Sequence, residues 1–350
     1  VHNFATTGGS KNTISQTNGG FINNQGSGNT VFNVADGTDA VDLELSAQWV
    51  NGTLTKAGLG TMAITGVHWG NYDLDIDTGV LEVGGSASLN GGTFTAAITN
   101  DGTFRYGSSA AQTMSGIISG TGALTKLGSG NLTLSGANTF TGATTVIDGS
   151  ILLKHSNALA LSSINFTNVV NAGSVVFDSS VTSNTFTIGG LSGTPINMVL
   201  ANNASTPITL RIGNGGQGTT YGAVFSGAGN LVKIGSGTLN LNAVNQTYTG
   251  STTIIAGAPG VTGGSPNKIS TLQLTFGTTD PGNIRNILPT TTALRFGGAS
   301  APQIGTQLSD LQLANVGNGS GRLLLTAAGA NTQALASTCH GDRIGAHVAH

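Results

Sequence analysis

Residues Gly122 to Gly136 read GALTKLGSGNLTLSG, and Gly122, Leu124, Lys126, Gly128, Gly130, Leu132, Leu134 and Gly136 all fall on even positions. The same frame, G-x-L-x-K-x-G-x-G-x-L-x-L, returns at Gly229 to Ala243 (GNLVKIGSGTLNLNA), and a third copy stands at Gly52 to Gly66 (GTLTKAGLGTMAITG). A sustained period of two means extended backbone with one face turned inward. Between the inward residues sit the pairs Gly58 and Gly60, Gly128 and Gly130, and Gly235 and Gly237. Each pair marks a corner where the chain bends and the inward side has no room for a side chain.

The match continues past the corner. Phe140-Thr-Gly-Ala-Thr-Thr-Val146 faces Tyr248-Thr-Gly-Ser-Thr-Thr-Ile254, and Gly149-Ser-Ile-Leu-Leu153 faces Gly79-Val-Leu-Glu-Val83. Repeats therefore lie near 52–83, 122–153 and 229–257, each made of short strands separated by glycine corners. Strands that recur without a hairpin dipeptide between them stack coil upon coil, so the pattern predicts an all-β solenoid over residues 1–336, as one elongated domain. At roughly 20–30 residues per coil and ~4.8 Å per step, it would form a rod on the order of 60–80 Å long. Residues 337–350 depart from the pattern and read as a non-repeat tail.

Composition agrees. The 350 residues include 56 glycines, only 7% are charged, and the acidic side chains include just two glutamates, Glu44 and Glu82. Long helices and coiled coils are excluded by that usage. A net charge of −2 gives no footprint for nucleic acid. No run of 18 apolar residues is present to cross a bilayer as a helix. A single cysteine, Cys339, forms no internal disulfide. Residues 1–175 carry five Lys/Arg and ten Asp/Glu, and residues 176–350 carry seven and four. This polarity favours head-to-tail or edge contacts between copies, a homo-oligomer that grows into a filament if it does not close.

The run Ser119-Gly-Thr-Gly-Ala-Leu-Thr-Lys-Leu-Gly-Ser-Gly-Asn-Leu-Thr-Leu-Ser-Gly-Ala-Asn-Thr-Phe-Thr-Gly142 and the run Ser226-Gly-Ala-Gly-Asn-Leu-Val-Lys-Ile-Gly-Ser-Gly237 resemble the autotransporter-associated (passenger-associated) β-strand repeat. Phe186-Thr-Ile-Gly-Gly-Leu-Ser-Gly193 resembles segments that sit between such repeats. The resemblance implies a right-handed parallel β-helix displayed on, or released from, a bacterial surface. Autotransporters end in a membrane β-barrel, whereas this sequence ends at His350 without a series of amphipathic strands, so the expectation is a piece of a longer precursor or another export route.

Chemistry-bearing residues are few. Lys56, Lys126 and Lys233 share parity with the inward leucines; the expectation is a stem packed inside and an ammonium reaching the carbonyls of the glycine corner. Asp73, Asp75 and Asp77 stand at i, i+2 and i+4, one face of a strand, where three carboxylates could recruit Ca²⁺, with Asp36, Asp39, Asp42 and Glu44 on a nearby coil. No other cofactor is indicated. Cys339, His340, His347 and His350 could form a metal site in the tail, against the simpler reading of a free extension. The G-x-G-x-x-G at Gly213 to Gly218 precedes a strand, so it lacks the helix N-terminus a phosphate needs.

No constellation for catalysis emerges. The expectation is a non-enzymatic extracellular structural protein: a surface adhesin or stalk with a host or matrix glycan or protein as ligand, or a filament subunit. The alternatives are a polysaccharide lyase or hydrolase, whose carboxylates would need a basic partner that is missing between Lys56 and Arg105, and a trimeric phage tailspike.

Overall fold

Alternating inward and outward residues settle into strands of two to nine residues, because each glycine corner ends one strand and starts the next. A computed structural model describes residues 2–15, 21–23, 28–70, 72–167, 173–194, 196–243, 246–255, 270–275, 293–297, 304–307, 322–327 and 333–338. They fall into two compact units, Val1–Gly189 with Asn202–Thr206, and Gly190–Ala201 with Pro207–His350. Among the described residues the helical content is one 3₁₀ turn, Asn90–Gly92, and no helix is long and apolar enough to cross a membrane.

The first unit is a parallel β-solenoid with three faces. On face one, Asn29–Asn33, Thr53–Ala57, Leu74–Ile76, Ile98–Asn100 and Ile118–Ser119 pair in parallel, so Thr30, Leu54, Leu74, Ile98 and Ile118 make one inward column. Face two runs through Leu43–Leu45, Thr61–Ile64, Val80–Val83, Thr103–Tyr106, Ala123–Lys126 and Thr144–Val146. Face three includes Thr93–Phe94, Gln112–Met114, Leu132–Leu134, Ser150–Leu153 and Ser174–Phe177. The first coil is the longest, pairing His2 with Thr30 and Asn12 with Leu43, and later ones shorten to about 19–24 residues. Columns such as Met62, Leu81, Phe104 and Leu124 are almost wholly buried, which is the apolar stabilisation of the unit.

One feature of the repeat differs from the sequence expectation of coil-on-coil superposition. The strand before the corner lies on face one in the copy at 52–66 and on face two in the copy at 122–136. The motif is therefore a portable corner: it specifies a strand, a bend and a strand, and fits whichever edge of the coil the spacing brings it to.

In the second unit Thr209–Ile212, Asn230–Lys233 and Thr252–Ile255 stack in parallel, as do Thr219–Tyr221, Thr238–Leu241 and Ser270–Thr275. The pairing then changes sense. Arg322–Ala327 runs antiparallel to Ser270–Thr275, Gln333–Thr338 antiparallel to Arg322–Ala327, and Ile304–Gln307 antiparallel to Ala293–Gly297. Parallel coils leave a row of unpaired N–H and C=O groups at their edge, and antiparallel strands are a way to cover it.

Because each coil is held by its immediate neighbours, damage should stay local. Leu124→Ala removes a buried side chain between Phe104 and Thr144. The expected cost is about 2–5 kcal/mol. Hydrogen exchange should show the lost protection concentrated in coils around residues 104–146; uniform loss would contradict coil-by-coil stability.

Candidate functional site

The repeat lysines are completely inside: Lys56 and Lys126 have no exposed surface and Lys233 has 1%. Each occupies a leucine-like position in a column, Lys56 between Phe32 and Ile76, Lys126 between Tyr106 and Val146, and Lys233 between Ile212 and Ile254. An apolar or aromatic neighbour on each side keeps two ammonium groups from meeting at the ~4.8 Å coil spacing. The stem packs as a hydrocarbon, and the head turns into the corner.

There the backbone supplies the acceptors. Lys56 Nζ donates to the carbonyls of Ala57 (3.0 Å), Gly58 (2.8 Å) and, from the next coil, Thr78 (3.1 Å). Lys126 Nζ donates to Gly128 and, from the next coil, Asp148 (3.1 Å), and lies 5.7 Å from the centre of the Tyr106 ring. Lys233 Nζ donates to Ile234 and to Gly235 (3.2 Å). One ammonium thus gathers carbonyls at the bend, and in two copies it ties adjacent coils together.

A second glycine closes each lysine site. A Cβ on Gly79 would stand 2.7 Å from Lys56 Nζ, one on Gly149 2.6 Å from Lys126 Nζ, and one on Gly213 2.7 Å from Lys233 Nζ; all three residues have positive φ. The repeat glycines themselves are excluded from carrying side chains by the coil beneath: a Cβ on Gly60 would strike the Ala35 carbonyl, on Gly130 the Ala110 carbonyl and on Gly237 the Gln217 carbonyl. The obstacle is neighbouring backbone, where the sequence pattern suggested core.

Burial pushes all three lysines down from 10.5 to about 8. The carboxylates of Asp42 and Asp77 pull Lys56 back up, and that of Asp148 does so for Lys126. The folded chain therefore releases these protons more readily than the unfolded chain.

The acidic residues have local structural partners. Asp75, half-buried, lies between Thr55 and Thr99 on adjacent coils and bonds both hydroxyls, while burial raises its carboxyl above the usual range; Asp73 and Asp77 on either side are exposed. Asp42 is buried and accepts from the backbone N–H groups of Gly37 (2.8 Å) and Thr61 (2.7 Å). Asp39 accepts from the Lys11 N–H (2.6 Å), and Glu44 pairs with Lys11 Nζ (2.7 Å). Among the described residues no group of three or more His, Cys, Asp or Glu is placed to hold a metal ion. Cys339, His340, His347 and His350 lie outside the described residues.

Several buried polar side chains escaped the sequence reading. Asn138 accepts from the Ile118 N–H (2.9 Å) and donates to the Ala158 carbonyl (3.0 Å), crossing two coil boundaries. Gln246, the corresponding residue two positions before the aromatic of the next repeat, accepts from the Phe225 N–H and donates to the Ala223 carbonyl (3.2 Å). The signal was their shared spacing to Phe140 and Tyr248. His68, buried, bonds Tyr72 through Nδ1 (3.0 Å), and burial pushes it down to about 4.

Two outcomes test the lysine corner. Between about pH 8 and pH 10 the unfolded chain binds more protons at these lysines, so stability should rise with pH across that window, and replacing Lys126 should flatten the rise. Above pH 10 the sign reverses, because burial pushes the Tyr72, Tyr221 and Tyr248 hydroxyls up and the unfolded chain loses those protons first. Urea unfolding at stepped pH measures both. At pH 7, Lys126→Met leaves the Gly128 and Asp148 carbonyls without their donor and should cost about 2–4 kcal/mol. A Lys126→Met variant as stable as the parent would show that the carbonyls do not need the ammonium.

The comparisons with known proteins fall on these corners. The passenger-associated-transport-repeat family matches residues 124–153 and 231–258, which contain the corners of Lys126 and Lys233. The corner of Lys56 lies outside the matched stretches yet has the same lysine, carbonyls and closing glycine. The chain is 35% identical over 175 residues, 49% of its length, to the Adhesin BmaC autotransporter of Brucella suis biovar 1 (strain 1330). It is 31% identical over 188 residues, 47% of its length, to the uncharacterized protein YuaQ of Escherichia coli (strain K12). The chain spans only 5% and 14% of the length of these two relatives. No solved structure matches. Parallel coils and the lysine-bearing glycine corner thus coincide with the two stretches, 124–153 and 231–258, that match the passenger-associated-transport-repeat.

Proposed function

We propose that the chain is a stretch of a bacterial surface passenger that works without catalysis, as an adhesin or as the stalk that carries one. The observation that carries the reading is the repeat corner inside a parallel solenoid, in a sequence related over about half its length to a protein named as an autotransporter adhesin. Such a frame offers outward strand faces whose side chains can change without disturbing the inward columns, which suits a surface selected for contact. The same relationship supports extracellular or cell-surface display.

The acidic residues support this over a polysaccharide-cleaving enzyme. Asp42, Glu44 and Asp75 are engaged by backbone N–H groups, Lys11 and threonine hydroxyls that hold the coils together. Arg105, a candidate basic partner, is paired with Glu82 on the preceding coil at 3.1 Å.

Beads coated with the purified chain should be retained on epithelial monolayers or on immobilised matrix protein above beads coated with albumin. Asp75→Asn should bind equally, and a panel of acidic polysaccharides should stay intact with or without Ca²⁺. Retention no better than albumin would overturn the adhesive reading, and depolymerisation lost in Asp75→Asn would replace it with an enzyme.

A further inference from the structure

We propose that Trp69 is a stacking platform for a neutral sugar ring. The proposal rests on the adhesive reading and supplies a ligand class for it. Of the two tryptophans in the chain, Trp49 is 1% exposed and Trp69 is 55% exposed. Scattered exposed apolar residues need no explanation. Trp69 differs because the surrounding structure holds it in place.

Its backbone is pinned between two residues that point inward, His68 and Tyr72, both buried and bonded to each other at 3.0 Å. Trp69 therefore cannot exchange its outward side chain for an inward one without breaking that pair. The ring is seated on the next coil. A Cβ on Gly91 would lie 2.8 Å from Trp69 Cη2 and 3.2 Å from Cε3, so the six-membered ring rests on a bare α-carbon, and Gly91 has a φ of 60°. The seat is the 3₁₀ turn Asn90–Gly92, extra chain that lengthens this coil: Leu74 pairs with Ile98, whereas the following coil needs fewer residues to bring Ile98 to Ile118. Asn90 fixes the turn from both sides, accepting from the Gly70 N–H (3.2 Å) and donating to the Thr93 carbonyl (2.8 Å).

The surroundings select the occupant. No lysine or arginine occurs between Lys56 and Arg105, so the chain around Trp69 brings no cation for a phosphate or an acidic peptide, and the nearest acid along it is Asp73. Its exposed apolar surface is the ring and Val67, with Thr93 exposed beside the turn. A stable protein interface needs about 800 Å² from each partner, whereas a tryptophan side chain offers at most about 250 Å². A pyranose fits this scale: its C–H face lies against an aromatic ring, and its hydroxyls meet hydroxyl and amide groups at the edge.

The full chain can be titrated with triacetylchitotriose, N-acetyllactosamine and cellohexaose while tryptophan emission is followed. Trp49 is buried, so a shift with protection from acrylamide quenching reports Trp69. At least one of the three sugars should produce it. Trp69→Ala should weaken that sugar about tenfold or more at an unchanged thermal midpoint. Gly91→Ala, which unseats the ring while keeping it, should weaken it in the same direction. No response to any of the three sugars, or equal affinity in Trp69→Ala, would overturn the platform. The bead assay separates the two readings: parent and Trp69→Ala beads retained alike would remove the platform and leave the adhesin, whereas Trp69-dependent sugar binding without retention would do the reverse.

Discussion

At three glycine corners of this solenoid, the carbonyls of Gly58, Gly128 and Gly235 are turned toward the head of a buried lysine. An unpaired buried carbonyl costs about 1–3 kcal/mol, so the corners must find donors. In each the donor is that lysine, built into the inward column, with its ammonium against the carbonyl. The rest of the corner follows from that choice. The closing residue must lack a side chain, because Gly79, Gly149 and Gly213 come within 2.7 Å of the ammonium at the position of a Cβ. The column neighbours must be apolar, because a second ammonium one coil away would be repelled.

This arrangement reconciles a very low charge content with a buried cation at the heart of each repeat. Elsewhere, buried polar side chains join the coils with smaller devices. Asn138 and Gln246 bridge coils with neutral amides, Gln112 does so against Leu89, and Thr144 with Ser162 bonds hydroxyl to hydroxyl at 2.7 Å. The lysine differs from an amide in carrying a charge and only donors, and at Lys56 and Lys126 these reach carbonyls of two coils at once. It also makes stability rise between about pH 8 and pH 10, which neutral amides would not do.

Much of the architecture was legible because it is periodic. Same-parity leucines, the glycine pairs and the inward lysines all recur at fixed offsets, so extended strands and corners could be placed from the sequence. The placement of a corner on a face was not legible, since the faces depend on coil length, and an insertion such as Asn90–Gly92 shifts everything after it. The closing glycines were half legible. Gly79 and Gly149 each follow their lysine by 23 residues, but the residue at that offset from Lys233 is Ala256, and the glycine comes from the preceding coil as Gly213. Trp69 and the His68–Tyr72 pair belong to no repeat, so only the folded coil shows that one is seated outside while the others are locked inside. In the acidic run at Asp73 to Asp77 the spacing was legible but the burial was not: Asp75 is half-buried between two threonines, and Asp73 and Asp77 are exposed.

The central claim is that the repeat ammonium is buried, charged at neutral pH and held by backbone carbonyls of the corner. Heteronuclear NMR of Lys126, following its ε-carbon and ζ-nitrogen through a pH titration, addresses that directly. The account predicts a midpoint near 8, together with ammonium protons protected from exchange with water at pH 7. A midpoint at the ordinary lysine value of about 10.5, with protons exchanging as freely as those of an exposed lysine, would contradict it.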